Sequence, residues 1–179
     1  MWGRGFRPSP PKGPGVEHEG RRAWGGRDGE RRAEGRLHGA RVLVTGATGD
    51  IGSALARRPV KSGAQVTLVA RSARSARSAR PARSARSARP LRELAAELGP
   101  SAFPQPADVT DAASISAAVD AAAMRAGGVD AVVANAGVMA SGRVEDMDLD
   151  ELRRVIEVNL LGTWLTLRSS TPHLARAGG

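Results

Sequence analysis

A glycine-rich turn that joins an apolar run to a helix-forming run limits the folds open to this chain. The apolar run covers residues 41–44, and the turn, residues 45–52, has the sequence TGATGDIG. Strand, glycine-rich turn and helix in this order are typical of a dinucleotide-binding βαβ unit. Gly46 allows a tight turn, Gly49 leaves room for a pyrophosphate, and Gly52 allows the helix to pack on the strand. Taken alone, the pattern also fits an ordinary strand-to-helix turn.

The positive charge of the chain is concentrated outside the part that is expected to fold. The net charge is +9. Residues 71–92 contain eight arginines and no acidic residue, and residues 1–38 contain nine basic and five acidic residues. We therefore expect no nucleic-acid partner for the folded part. An association of the two arginine-rich segments with nucleic acid stays open.

The composition excludes several classes of site. The chain has no cysteine, which rules out disulfides, a thiolate nucleophile and a cysteine zinc site. Its three histidines are too scattered to predict a metal site. No apolar stretch approaches the roughly 20 residues that span a bilayer, and the N-terminus lacks the apolar region of a secretory signal. We expect a soluble, cytoplasmic protein without a membrane partner.

Two segments are predicted to lie outside the folded core. Residues 1–38 are rich in Gly, Pro, Arg and Glu, and we interpret them as a disordered tail. Residues 72–89 repeat [Ser/Pro]-Ala-Arg with a period of three, which carries no apolar stripe. They are interpreted as a low-complexity insert within a folded domain that covers residues 39–179.

Alternating strands and helices in residues 39–179 predict an α/β fold. Alternation of this kind is typical of parallel βαβ units and predicts a Rossmann-like, doubly wound parallel sheet, incomplete with about four strands. The prolines in the third strand favour a position at the sheet edge. The expected strands are 41–44, 65–70, 102–107 and 129–134, and the expected helices are 50–62, 91–98, 111–125 and a long helix after residue 148.

The helices carry three further signals. Pro59 removes a backbone N–H, at a cost of roughly 3 kcal/mol unless the first helix kinks or ends there. Asp148 and Glu151 have the spacing of a capping box, and Asn159 is expected to point inward with a partner for its amide or to bond local backbone. The stripe expected to face the core consists of Leu152, Val155, Ile156, Leu160 and Thr163.

Three candidate cofactor contacts follow predicted strands, where doubly wound sheets bind their ligands. Arg71 follows the second strand, where a cation suits the 2′-phosphate of NADP; the alternative is a solvated first member of the arginine repeat. Asp108 follows the third strand and is free for a ligand if Thr110 or Asp111 caps the helix. The small residues of the segment 135–137 would let a cofactor lie against the backbone after the fourth strand.

Together these segments and Val158–Gly162 resemble the short-chain dehydrogenase/reductase family over about residues 39–176. The resemblance implies that the turn contacts the pyrophosphate region of the cofactor and that the backbone carbonyl of Asn159 holds a water in the proton relay. The cation Arg71 favours NADP as the cofactor, with NAD as the alternative. The resemblance implies contacts of Gly46, Ile51 and Gly52 with the pyrophosphate, of Asp108 and Val109 with the adenine, and of Asn135, Ala136 and Gly137 along the groove; Thr45, Gly49 and Arg71 are added as cofactor-binding candidates from the turn and the strand end.

Two departures from the family pattern bear on function. Asp50 stands where the single-domain branch of the family usually has glycine, the glycines here having the spacing GxxGxxG, and it either weakens cofactor binding or points to solvent. The family also uses a Ser and a Tyr-x-x-x-Lys for catalysis, and this chain contains no tyrosine. Ser169 and Ser170 lie on the preceding helix and have no positioned base. We expect a truncated chain that ends before the catalytic half of the domain.

The resulting hypothesis is an NAD(P)-dependent oxidoreductase that exchanges a hydride between an alcohol and a carbonyl, with a small-molecule substrate that the sequence does not identify. Activity of this chain as written is predicted to be absent. The alternative is a non-catalytic or vestigial dinucleotide-binding domain. Homo-oligomerisation stays open for a complete form.

Overall fold

The fold is a four-stranded parallel sheet with helices on both faces, in a computed structural model that describes residues 37–71 and 91–178. The predicted insert and nearly all of the predicted tail lie outside the described residues. The strand order is β3-β2-β1-β4. This confirms the α/β, Rossmann-like prediction. The strands are β1 (Arg41–Thr45), β2 (Gln65–Ala70), β3 (Ala102–Pro106) and β4 (Ala131–Val133).

The two central strands are continuous apolar runs because both of their faces are covered. Leu43 and Val69 lie in the core on one side of the sheet, and Val44 and Leu68 lie in the core on the other side. All four side chains are fully buried. The alternation of side chains along β1 and β2 therefore supplies both hydrophobic cores.

The outer strands are less regular. β3 pairs with β2 alone and lies at an edge of the sheet, as its prolines predict. β4 is shorter than predicted because its ladder with β1 is confined to residues 131–133. Asp130 still donates its backbone N–H to the carbonyl of Arg41 at 2.8 Å, so the segment approaches β1 one residue earlier.

Five helices connect or follow the strands in the described residues. The first ends close to its proline: Pro59 is buried in the last turn, and its carbonyl accepts hydrogen bonds from Ser62 and Ala64, both at 3.0 Å. A π-helical turn, Glu157–Leu161, joins the last two helices. The helices are α1 (Asp50–Lys61), α2 (Leu91–Leu98), α3 (Ala112–Ala126), α4 (Leu149–Ile156) and α5 (Gly162–Arg176). None of them is long and apolar enough to cross a membrane.

Capping residues define the ends of α3 as predicted. The Asp111 side chain accepts hydrogen bonds from the backbone N–H groups of Ala113 and Ser114 at its start. Gly127 ends the helix with a φ of +78°, which glycine adopts without strain. The side chains of α3 that face the sheet are buried, namely Ile115, Ala118, Val119 and Ala122.

The prediction that the apolar stripe of α4 and α5 faces the core is wrong. Leu152, Ile156 and Leu160 are 41%, 46% and 64% exposed. The residues of α5 that are buried are instead the small residues Gly162, Thr166 and Ser170, one turn apart. Their small size lets α5 lie close to its neighbours, as Gly162 does beside Val109.

Candidate cofactor site

Two glycines of the turn between β1 and α1 are required by the protein backbone itself. Gly46 has a φ of +64°, and a Cβ on it would lie 2.7 Å from the Cα of Ala136. A Cβ on Gly52 would lie 2.1 Å from the carbonyl oxygen of Gly46. Neither distance is compatible with a side chain. The close packing of the turn, the helix and the segment after β4 therefore depends on both residues.

Gly49 differs from the other two glycines. Its backbone is extended, with φ −75° and ψ 167°, and a Cβ would meet only the carbonyl oxygen of Gly46 at an ordinary 3.5 Å. As the N-cap of α1 it offers no side-chain hydrogen bond, whereas Asp111 and Asp148 cap α3 and α4. The first N–H groups of α1 therefore have no side-chain cap and can serve an anion.

A hydrogen-bonded clamp holds the turn against the end of β4. The Thr45 hydroxyl is buried and accepts hydrogen bonds from the backbone N–H groups of Asn135 and Ala136, both at 3.1 Å. In return, the Asn135 amide donates to the carbonyl of Thr45 at 3.2 Å and to that of Gly46 at 3.4 Å. These bonds bring the predicted residues of β1 and β4 together. The side chains of Thr45 and Asn135 are therefore both engaged in hydrogen bonds within the protein.

Asn159 completes the same region from a different element. Its amide forms two bonds of 2.9 Å with the backbone of Val138, accepting from the N–H and donating to the carbonyl. Its Oδ1 lies 3.5 Å from the position that a Cβ on Gly137 would occupy. The expectation that Asn159 is buried is wrong: it is exposed, because the π-helical turn directs it to the loop after β4. Irregular turns of this kind are frequent at functional sites.

Val138 was missed by sequence reasoning. Its contribution consists of backbone N–H and carbonyl groups, and such a role places no demand on the side chain. The pairing also joins residues 21 positions apart in the chain. Neither property leaves a local pattern in the sequence.

The segment after β3 has the predicted division of roles. Asp111 caps α3, and Asp108 lies outside the helix. Its Oδ1 accepts hydrogen bonds from the N–H and the hydroxyl of Thr110, at 3.0 and 2.8 Å, which leaves Oδ2 for another partner. Val109 is buried, and a Cβ on Gly162 would lie 2.8 Å from its Cγ2. Val109 therefore fixes the approach of α5 to this segment.

Arg71 and Ile51 lie at the same, carboxyl-terminal edge of the sheet. Arg71 follows β2 directly and is half-buried, with no hydrogen bond or ion pair to the described residues. Ile51 is the second residue of α1, beside the turn, and is 69% exposed. The backbone N–H of Ala47 donates to Val69 at 3.1 Å, which joins the turn to the end of β2. Both side chains are therefore available to a ligand at this edge.

Asp130, whose pKa is shifted, lies at the opposite end of the sheet, where the strands begin. Asp130 accepts a hydrogen bond of 2.7 Å from Nε of Arg41, and these guanidinium bonds hold the pKa of Asp130 below its ordinary value. Arg41 also lines a cleft of about 470 Å³ with the His173–Asp120 pair. This pair joins α3 and α5. In residues 37–71 and 91–178, no three histidine or acidic side chains form a cluster that could hold a metal ion.

Comparison with known proteins places this geometry in a family. Residues 40–179 match the short chain dehydrogenase family model. A 3-alpha-(or 20-beta)-hydroxysteroid dehydrogenase of Mycobacterium tuberculosis is 33% identical over 144 residues, covering 80% of this chain and 50% of the relative.

Solved structures give the same result. A 3-ketoacyl-(acyl-carrier-protein) reductase from Brucella melitensis, complexed with NADH, is 31% identical with a TM-score of 0.67, covering 79% of this chain and 53% of the other. A short chain dehydrogenase from Burkholderia cenocepacia in complex with NADP is 31% identical with a TM-score of 0.62, covering 78% and 52%. The chain spans about half of the length of these relatives. On this evidence the chain belongs to the short-chain dehydrogenase/reductase family.

Proposed function

We propose that this chain binds NADP at the carboxyl-terminal edge of its sheet, as the cofactor-binding part of an alcohol/carbonyl oxidoreductase. The observation that carries the proposal is the uncapped N-terminus of α1, clamped beside the segment after β4. Free N–H groups and the helix dipole favour a diphosphate at this position. Family members of similar fold are complexed with NADH and with NADP, which supports a nicotinamide dinucleotide here.

The preference for NADP over NAD rests on Arg71. A guanidinium matches a phosphate monoester in charge and in hydrogen-bond geometry. Arg71 is half-buried at the end of β2 and has no partner among the described residues. Asp108 and Val109 would border the adenine, and Asp108 has one carboxylate oxygen to accept a bond from it.

The chemistry of the family is hydride transfer between nicotinamide C4 and a carbonyl carbon, with a proton passing to or from the oxygen. In this chain Asn159 orders the loop after β4 through Val138, and its backbone carbonyl is the candidate holder of a relay water. The proton donor of the family is a tyrosine, and the 179 residues contain none. We therefore propose that this polypeptide binds the cofactor and does not reduce carbonyl compounds by itself.

A titration of the chain with NADPH and with NADH, followed by nicotinamide fluorescence, tests the proposal. We expect NADPH to bind more tightly, and Arg71→Ala to lower NADPH affinity about tenfold, which is about 1.4 kcal/mol, without changing NADH affinity. Arg58→Ala is the matched control, because Arg58 lies in the last turn of α1, away from the turn. Absence of binding by both nucleotides would refute the proposal. Equal losses for NADPH and NADH in Arg71→Ala would refute the role of Arg71.

A turnover assay tests the second part. NADPH oxidation with a panel of ketones and aldehydes is expected to stay at the rate of the protein-free control. Reproducible turnover that copurifies with the chain would contradict the proposal that a proton donor is missing.

A further inference from the structure

We propose that Asp50 sets the affinity of this site, because its carboxylate opposes the diphosphate of any dinucleotide that binds at the first turn of α1. The inference rests on the proposed function, since it assigns a role to one residue of that cofactor site. Asp50 is the acidic residue of the glycine-rich turn, residues 45–52.

The position of Asp50 is fixed by the backbone. It is the first residue of α1, directly after the N-cap Gly49. The Ser53 N–H donates to the carbonyl of Gly49 at 2.8 Å, and the Ser53 hydroxyl donates to the carbonyl of Asp50 at 3.1 Å. The first turn is therefore a regular helical turn, and Asp50 is held within it.

The carboxylate of Asp50 is not neutralised by the described residues. Asp50 is exposed, and among residues 37–71 and 91–178 it has no ion pair and no side-chain hydrogen bond. The basic residues of α1 lie in its second half, namely Arg57, Arg58 and Lys61, and Arg57 bonds Glu97 at 2.7 Å. The charge at the start of α1 is therefore a free negative charge.

This charge affects a bound diphosphate in two ways. A carboxylate in the first helical turn interacts favourably with the helix dipole, which is the same field that would attract the diphosphate. It also repels the diphosphate directly, and charges a few ångströms apart at a protein surface interact appreciably. Both effects weaken binding. Both are independent of the 2′-phosphate, which is the group assigned to Arg71.

The substitution Asp50→Asn removes the charge and keeps the shape of the side chain. We expect it to tighten the binding of NADH and of NADPH by the same factor, about tenfold, corresponding to about 1.4 kcal/mol. The factor should shrink between 0.1 M and 1 M salt, since the Debye length falls from about 10 Å to about 3 Å. ADP-ribose, which has the diphosphate, should follow NADH, and adenosine, which lacks it, should bind both proteins equally.

The control variant is Asp150→Asn, which removes the same charge from the first turn of α4. It should leave all four affinities unchanged, and circular dichroism should show native helix content in both variants. Unchanged or weaker NADH binding in Asp50→Asn, or an equal gain for adenosine, would overturn the role of Asp50 and leave the cofactor site intact. If neither the wild-type chain nor Asp50→Asn binds any dinucleotide, the proposed function fails, and this inference fails with it.

Discussion

Replacement of Thr45 by valine tests whether the clamp between β1 and β4 holds the site together. Valine has nearly the shape of threonine, so the substitution removes a hydroxyl without leaving a cavity. The Thr45 hydroxyl accepts two backbone N–H groups at 3.1 Å, those of Asn135 and Ala136, and Thr45 is 1% exposed. A buried donor that loses its acceptor costs about 1–3 kcal/mol. The Asn135 N–H also donates to the carbonyl of Val133 at 3.0 Å, so only the Ala136 N–H loses its acceptor, and we expect a loss of about 1–3 kcal/mol.

Thr45→Ser is the matched control. Serine keeps the acceptor oxygen and loses one methyl group, so its cost should be about 1 kcal/mol from lost apolar burial. The comparison of the two variants therefore separates the hydrogen bonds of Thr45 from its packing.

Urea unfolding followed by circular dichroism measures the difference. With an m-value of about 2 kcal/mol per molar urea, a loss of about 1–3 kcal/mol lowers the midpoint by about 0.5–1.5 M for Thr45→Val. Thr45→Ser should unfold within about 0.5 M of the wild-type midpoint on the same m-value. If Thr45→Val is as stable as Thr45→Ser, the hydroxyl does not hold the end of β4, and the clamp as described is wrong.

Three further predictions concern the same elements. Gly52→Ala places a Cβ 2.1 Å from the Gly46 carbonyl oxygen and should destabilise the fold by several kcal/mol or prevent folding. Gly49→Ala makes only a 3.5 Å contact, and its stability should lie within about 1 kcal/mol of wild type. Thermal unfolding of both variants measures the difference, and equal losses of stability would contradict the prediction. Asn159→Ala removes two 2.9 Å bonds to exposed backbone and should cost about 1 kcal/mol while raising hydrogen exchange at Val138, and unchanged exchange there would contradict the pairing. Arg41 holds the pKa of Asp130 below its ordinary value, so the stabilisation by this pair is complete above the ordinary pKa and is lost as the pH falls from about 4 towards the lower folded pKa. Asp130→Asn should therefore flatten the pH dependence of the urea midpoint in this window. An unchanged slope would refute the assignment of this pH dependence to Asp130.

The sheet could be predicted from the sequence because its determinants are local. A parallel strand covered on both faces needs a continuous apolar run, and β1 and β2 have one. The prolines of β3 exclude a central position, and the structure confirms this edge strand. The length of β4 could not be predicted, because it depends on how far its ladder with β1 extends.

The orientation of α4 and α5 could not be predicted, because periodicity identifies an apolar face without identifying what covers it. The stripe through Leu152 and Ile156 has the correct spacing for an inward face, but it is exposed. The buried face of α5 carries small residues such as Gly162 and Ser170, which contribute little to an apolar pattern. Close packing of helices selects such residues for their size.

The three glycines of the turn differ in how strictly the folded chain requires them. Gly46 and Gly52 are demanded by backbone contacts that exist without any ligand, which fits the tight turn and the close helix packing predicted for them from the sequence. Gly49 is the one that has neither a positive φ nor a contact that would exclude a side chain. The backbone geometry that would receive a dinucleotide is therefore a property of the folded chain. Since that geometry is formed in advance by Thr45 and Asn135, binding should be governed by the charges around it, and Asp50 and Arg71 are the side chains on which affinity and cofactor preference depend.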